Sequence, residues 1–145
     1  MRRLLFILCC LLSLLPLPAQ KASPIASLRN GTTKTITLGN NAKIYILTCT
    51  PGKEVWSKYG HTGIRVVDSS NKLDIVFNYG IFSLMDNGFY IKFIKGETYY
   101  KLGIESYRQF NRFYSSIGRT TYWQELNLTQ QQKQQIFDAL LINYQ

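Results

Sequence analysis

Histidine and cysteine are the scarce residues of this chain: one histidine, His61, and three cysteines among 145 residues. Cys9 and Cys10 fall in an apolar run at the amino terminus, so Cys49 is the one thiol of the remaining sequence. A lone cysteine forms no internal disulfide, which excludes the stapled scaffolds common among small exported domains. Imidazole chemistry is therefore confined to His61, and thiol chemistry to Cys49 or to a cysteine this chain does not contain. Acidic residues are also few, 8 against 17 lysines and arginines, for a formal charge of +9. After the amino-terminal run no segment is apolar enough to span a membrane. Neither a metal nor a cofactor is expected.

What is present begins with an export pattern. Met1-Arg2-Arg3 is followed by the apolar run Leu4 to Leu15 and then by Pro16-Leu17-Pro18-Ala19-Gln20. This is the shape of a secretory signal peptide with cleavage after Ala19. The residue before Cys9 is Leu8 rather than a small one, which argues against a lipid-modified cysteine there. Residues 1–20 are read as the signal, 21–31 as a linker and 32–145 as one domain in the periplasm. The basic balance suggests nucleic acid, but export and the scattering of the lysines argue against that partner. An anionic membrane surface is the better expectation, with the aromatic and lysine stretch Phe89 to Lys101 facing it.

A period-two pattern predicts a strand at Thr32–Leu38, a nearly continuous β-branched and apolar run predicts a central one at Lys43–Cys49, and two more are expected at His61–Val67 and Leu73–Tyr79, joined through a hairpin turn at Asp68–Lys72. A further strand is expected at Thr98–Ile104 and an extended stretch at Thr120–Leu128. Helices are expected at Phe89–Lys95 before Gly96, at Ser106–Ser115 capped by Ser106, and at Gln130–Tyr144 capped by Thr129. The fold class is α+β, a small antiparallel sheet built from Ile36, Ile44–Leu47, Ile64–Val67 and Ile75–Phe77, with helices packed on one side. The last helix reaches the final residues without a stop signal, so a continuation beyond Gln145 is expected.

The candidate site starts from His61 at the mouth of a strand, in Gly60-His61-Thr62-Gly63-Ile64, where glycines permit close approach of a backbone or substrate. A partly buried histidine bonded to a neighbouring carbonyl is the competing reading. Counting across a hairpin centred near Ser70 sets His61 against Asn78 or Tyr79, and Asp74 against Val66. Asn78 can then orient the imidazole, as the amide does in a thiol–imidazole–amide triad. Cys49 ends its strand 12 residues before His61. Beside an imidazole it is a nucleophile; at a strand end it is equally a small apolar filler. Thr50-Pro51-Gly52 supplies a turn rather than the helix N-terminus that supports a thiolate, so Cys49 is expected to be buried.

Five ordered segments carry a resemblance: Leu47-Thr48-Cys49-Thr50-Pro51-Gly52, Gly60-His61-Thr62-Gly63-Ile64-Arg65-Val66, Phe77-Asn78-Tyr79-Gly80-Ile81-Phe82, Phe89-Tyr90-Ile91-Lys92-Phe93-Ile94-Lys95-Gly96 and Leu126-Asn127-Leu128-Thr129. Together they resemble the N-terminal periplasmic domain of Lnb proteins, lipoprotein N-acyltransferases of Bacteroides-like bacteria. That family is in turn similar to circularly permuted papain-type thiol enzymes of the lecithin:retinol acyltransferase group. The resemblance implies a thiol-dependent acyl transfer with phospholipid and lipoprotein substrates, His61 as the catalytic imidazole, and a nucleophile in an Asn-Cys-x-Thr-Arg segment downstream of Gln145. It also implies membrane-spanning helices beyond that point. The alternatives are a cell-wall amidase or peptidase on the same scaffold and a non-catalytic periplasmic binding module.

Overall fold

A computed structural model of the chain describes Leu28, residues 36–83 and residues 87–144. Five strands form one antiparallel sheet: β1 (Lys43–Cys49), β2 (His61–Asp68), β3 (Leu73–Ile81), β4 (Lys101–Ser106) and β5 (Thr121–Glu125), in the spatial order β4-β3-β2-β1-β5. In the described residues from 36 on, three α-helices accompany them: α1 (Phe89–Lys95), α2 (Tyr107–Ser116) and α3 (Gln130–Tyr144). The α+β class stands.

The helices do not share one side of the sheet, as the sequence reading expected. Alternation along the strands sends neighbouring residues to opposite faces. Ile44, Val66, Ile75, Phe77 and Ile104 point one way and pack with Phe137 and Leu140 of α3. Tyr45, Leu47, Cys49 and Val76 point the other way and pack with Phe110 and Tyr114 of α2. α2 and α3 each have an apolar cluster, so the middle of the sheet is covered on both sides. The reason lies at Ser106, which ends β4 and also caps α2. Its hydroxyl accepts from the Gln109 N–H at 3.2 Å while the Gln109 side chain accepts from the Ser106 N–H at 3.4 Å. This capping box starts the helix with no intervening loop. Thr129 and Gln132 make the equivalent pair at the start of α3.

The first expected strand is also corrected where it can be seen. Thr32 to Thr35 lie outside the described residues, and Ile36 to Leu38 are irregular chain rather than part of the sheet. Side-chain amides of α3 take the place of a neighbouring strand. Gln134 accepts from the Leu38 N–H at 2.7 Å and donates to the Ile36 carbonyl, while Gln130 donates to the carbonyls of Leu38 and Gly39. With its polar groups satisfied this way, the segment buries Leu38 without needing a ladder.

Asp68 anchors the same segment to the β2–β3 turn. Its carboxylate accepts from the N–H groups of Gly39 and Ser70, each at 2.9 Å, and from the Asn71 amide at 2.6 Å. Burial alone would raise its pKa, but these donors outweigh it and hold the carboxyl below the ordinary value of 3.8. A depressed carboxylate adds stability above its unfolded pKa and loses it as pH falls through the folded one. Asp68→Asn is therefore expected to destabilise the protein by about 1.5–3 kcal/mol at neutral pH, and by much less in strong acid. Urea unfolding at both pH values measures the difference; an equal loss at both would contradict the assignment.

The hairpin register is shifted from the count made on the sequence. The turn runs from Ser69 to Lys72, later than a centre at Ser70, so Gly63 pairs with Asn78 and Val67 with Asp74. Likewise the strand expected at Thr98–Ile104 occupies Lys101–Ser106.

Candidate functional site

The cleft lies on the α2 face, at the end of the sheet where β2 begins. It encloses about 560 Å³ between the β1–β2 loop, the end of β3, α1 and the C-terminus of α2. His61 reaches diagonally across the hairpin, and its Nε2 lies 2.6 Å from Asn78 Oδ1. Asp74 reaches Arg65 across the same hairpin at 2.7 Å and takes no part in the cleft.

The protonation pattern follows from Glu105, a residue the sequence reading missed. Asn78 Nδ2 donates to Glu105 Oε1 at 2.9 Å. A carboxylate only accepts, so the amide nitrogen faces Glu105 and the amide oxygen faces the imidazole. Nε2 then carries the proton and donates to Asn78, leaving the lone pair on Nδ1. The irregular pairing with β4 between Asn78 and Ile81, with Gly80 at φ 86°, bends β3 just beyond this contact. The positive φ rather than crowding calls for glycine at position 80, since a Cβ there would make only an ordinary 3.7 Å contact with His61 Cε1.

Burial is the largest influence on His61 and lowers its pKa from 6.5. The Arg119 charge acts in the same direction, while the Asn78 bond and Glu105 oppose them. The ring is thus neutral near pH 7 and able to accept a proton. With no second histidine in the chain, its proton resonances are unambiguous, and their titration midpoint is expected below 6.5. A midpoint at or above 6.5 would contradict the burial. The linked stability is full above pH 6.5 and falls as pH drops through the lowered folded value.

Cys49 stands directly opposite His61 in the β1–β2 ladder and opposite Thr121 on its other side. It is 1% exposed, and its sulfur contacts the Thr121 hydroxyl at 3.6 Å. Burial pushes the thiol up, further than the Thr121 bond and the Arg119 charge pull it down. That is the environment of an inert, protonated thiol. The backbone is equally tight there: Gly60 has φ 83°, and a Cβ on it would lie 2.7 Å from the Cys49 carbonyl oxygen.

Arg119 and Tyr114 complete the site, and the end of α2 explains both. Gly118 adopts the left-handed conformation; its N–H donates to the Ser115 carbonyl and the Arg119 N–H donates to Tyr114 at 2.9 Å. This Schellman turn folds the chain back over the last helical turn. It sets the Arg119 guanidinium over the Tyr114 ring at 4.8 Å, with Nε donating to the Thr50 carbonyl at 2.6 Å. The Tyr114 ring in turn lies nearly parallel to His61, and burial pushes its phenol well above its usual pKa.

The opposite wall is aromatic. Trp56, in the short 3-10 turn Val55–Ser57, packs edge-on against Phe82 and Phe89, and Phe82 stacks on Phe89 at 4.9 Å. Among the described residues no group of three His, Cys, Asp or Glu side chains is placed to hold a metal.

A family model described as the Lnb N-terminal periplasmic domain matches residues 32–143, which include every residue of this cleft. The chain belongs to that family. Its description places the domain in the periplasm, and among the described residues no helix is long and apolar enough to cross a membrane. No curated protein and no solved structure matches the chain. In this Lnb-type domain, His61 and Asn78 come together, Cys49 lies beside them but buried, and Glu105, Tyr114 and Arg119 join from β4 and the end of α2.

Proposed function

We propose that the domain carries the acid–base half of a thiol-dependent lipoprotein N-acyltransferase working at a membrane surface. The observation behind this reading is the Glu105–Asn78–His61 relay opening onto an aromatic cleft. A neutral imidazole with its tautomer held by an amide matches the general base of thiol acyl transfer. In the first half-reaction His61 Nδ1 takes the thiol proton as sulfur attacks the ester carbonyl of a phospholipid. The C–S bond forms, the C–O bond breaks, and the imidazolium returns its proton to the departing alcohol. In the second, His61 takes a proton from the lipoprotein's terminal amine. The C–N bond forms, the C–S bond breaks, and the thiol is regenerated.

In this reading the thiol is not Cys49. We take it from an Asn-Cys segment beyond Gln145, as the resemblance implies, and the permuted papain-like arrangement belongs to the same proposal. Residues 1–20 act as the export signal, and Tyr90, Ile91, Ile94 and Tyr99, all exposed beside Lys92 and Lys95, meet the lipid surface.

The test presents the protein, in its native continuation, with phospholipid vesicles and a diacylated lipopeptide bearing a free amine. Transfer of an acyl chain to the amine is the expected outcome. Hydrolysis of peptidoglycan instead would favour an amidase or peptidase, and binding without turnover a non-catalytic module.

A further inference from the structure

Among the described residues two arginines lie against tyrosine rings, and one of them, Arg65, has a carboxylate partner there. The Arg65 guanidinium sits 3.5 Å from the Tyr107 ring centre and is held by both oxygens of Asp74. Arg119 is 8% exposed and donates from Nε to a neutral carbonyl, while its Nη2 is buried with no hydrogen-bond partner. The ion pairs among the described residues, Lys43 with Glu125 and Arg65 with Asp74, do not involve it. A guanidinium stays charged at any physiological pH. A buried, unpaired charge is costly, and an anion supplied from outside offsets that cost.

Arg119 is also part of the cleft wall, so a ligand entering the cleft meets it. Trp56, Phe82, Phe93 and Tyr100 give the cleft an aromatic wall, Phe113 and Ile117 of α2 add apolar surface beside Tyr114, and Lys53 and Glu54 are the other charged residues of the lining. One end of the cavity therefore wants a negative charge and the other wants hydrocarbon.

We propose that Arg119 is an anion-binding subsite, and that the cleft takes an amphiphile whose phosphate head sits at Arg119 and whose chain lies along the aromatic wall. The guanidinium presents its donors in a planar fork that fits phosphate oxygens. The Schellman turn and the Thr50 carbonyl hold Arg119 in the cleft wall; with Nε engaged there, the terminal nitrogens are left for the ligand, which reaches the covered Nη2 as the side chains over it give way. As a substrate subsite the assignment rests on the proposed acyl transfer. As a binding site it does not, and binding is what the experiment reads.

The probes are dodecyl phosphate, inorganic phosphate and dodecyl maltoside, each kept below its micelle concentration, with the His61 proton resonances as reporter. Dodecyl phosphate is expected to bind saturably to the wild-type protein and to raise the His61 pKa, because its charge cancels that of Arg119. Dodecyl maltoside should leave that pKa where it is, and inorganic phosphate should bind far more weakly. In Arg119→Gln the affinity for dodecyl phosphate is expected to fall about tenfold to a hundredfold, with Arg119→Lys in between and the maltoside unaffected. Equal binding of the charged and uncharged amphiphiles, with no shift of the His61 pKa, overturns the subsite even if the variants fail to fold. Inorganic phosphate binding as tightly as dodecyl phosphate overturns the amphiphile. If dodecyl phosphate binds as expected while His61→Ala leaves acyl transfer intact, the subsite stands and the proposed catalytic role falls.

Discussion

Acyl transfer should fall by about a hundredfold to ten-thousandfold when His61 is replaced by alanine, the usual worth of a positioned general acid–base group. The size follows from scarcity as much as from geometry, because no second histidine in the chain can take over the proton. Asn78→Ala removes the oxygen that holds Nε2–H and lets the ring change tautomer, so it should also slow transfer, but by less. Cys49→Ser should keep most of the activity, since that thiol is buried against Thr121 and held protonated. Steady-state transfer rates of the three variants, with circular dichroism to check folding, make the comparison. Rapid alkylation of Cys49 in the native protein, together with loss of transfer in the folded serine variant, would restore Cys49 and His61 as the working pair.

Phe137→Ala is expected to destabilise the domain by about 3–5 kcal/mol, a large share of what a domain of this size commands. Phe137 is fully buried, and its ring meets Phe77 edge-on at 6.1 Å. The aromatic pair joins α3 to the middle of β3, and alanine leaves a cavity that the sheet cannot close. Because Phe137 lies on the face away from the cleft, the His61 titration midpoint should stay put in conditions where the variant remains folded. Urea unfolding gives the energy and NMR the midpoint. A loss below about 1 kcal/mol would mean that the α3 cluster is loosely packed.

Local signals in the sequence were sufficient for the strands Lys43–Cys49 and Leu73–Tyr79 and for the helix caps at Ser106 and Thr129. Each depends on residues within a few positions of one another. The side on which a helix packs is a different kind of fact. It follows from the direction in which the chain leaves β4, and no periodicity records that. The false strand at Ile36–Leu38 has a similar origin: its alternation is real, but its backbone partners are glutamines more than ninety residues away. At the site, His61 stood out by rarity and Asn78 by its approximate count from the turn. Glu105 and Arg119 had no such mark, since each gains its role from a neighbour brought in by β4 or by the turn at Gly118. That glycine, following the end of a helix, was the one signal from which Arg119 could have been found.

The separation of Phe137 from His61 has a consequence for how this sheet can change. Along β1, β2 and β3, odd and even positions answer to different demands: one parity meets α3, while the other meets α2 and, at one end of the strands, the cleft. The hairpin is in effect written in a two-letter reading frame. Inserting one residue between His61 and Val66 would leave the later part of β2 in frame and swing His61 to the α3 side, away from Asn78. On the second parity Leu47 and Val76 hold the α2 core, so substitutions that revise what the pocket accepts are confined to the strand ends around His61, Asn78 and Ile81.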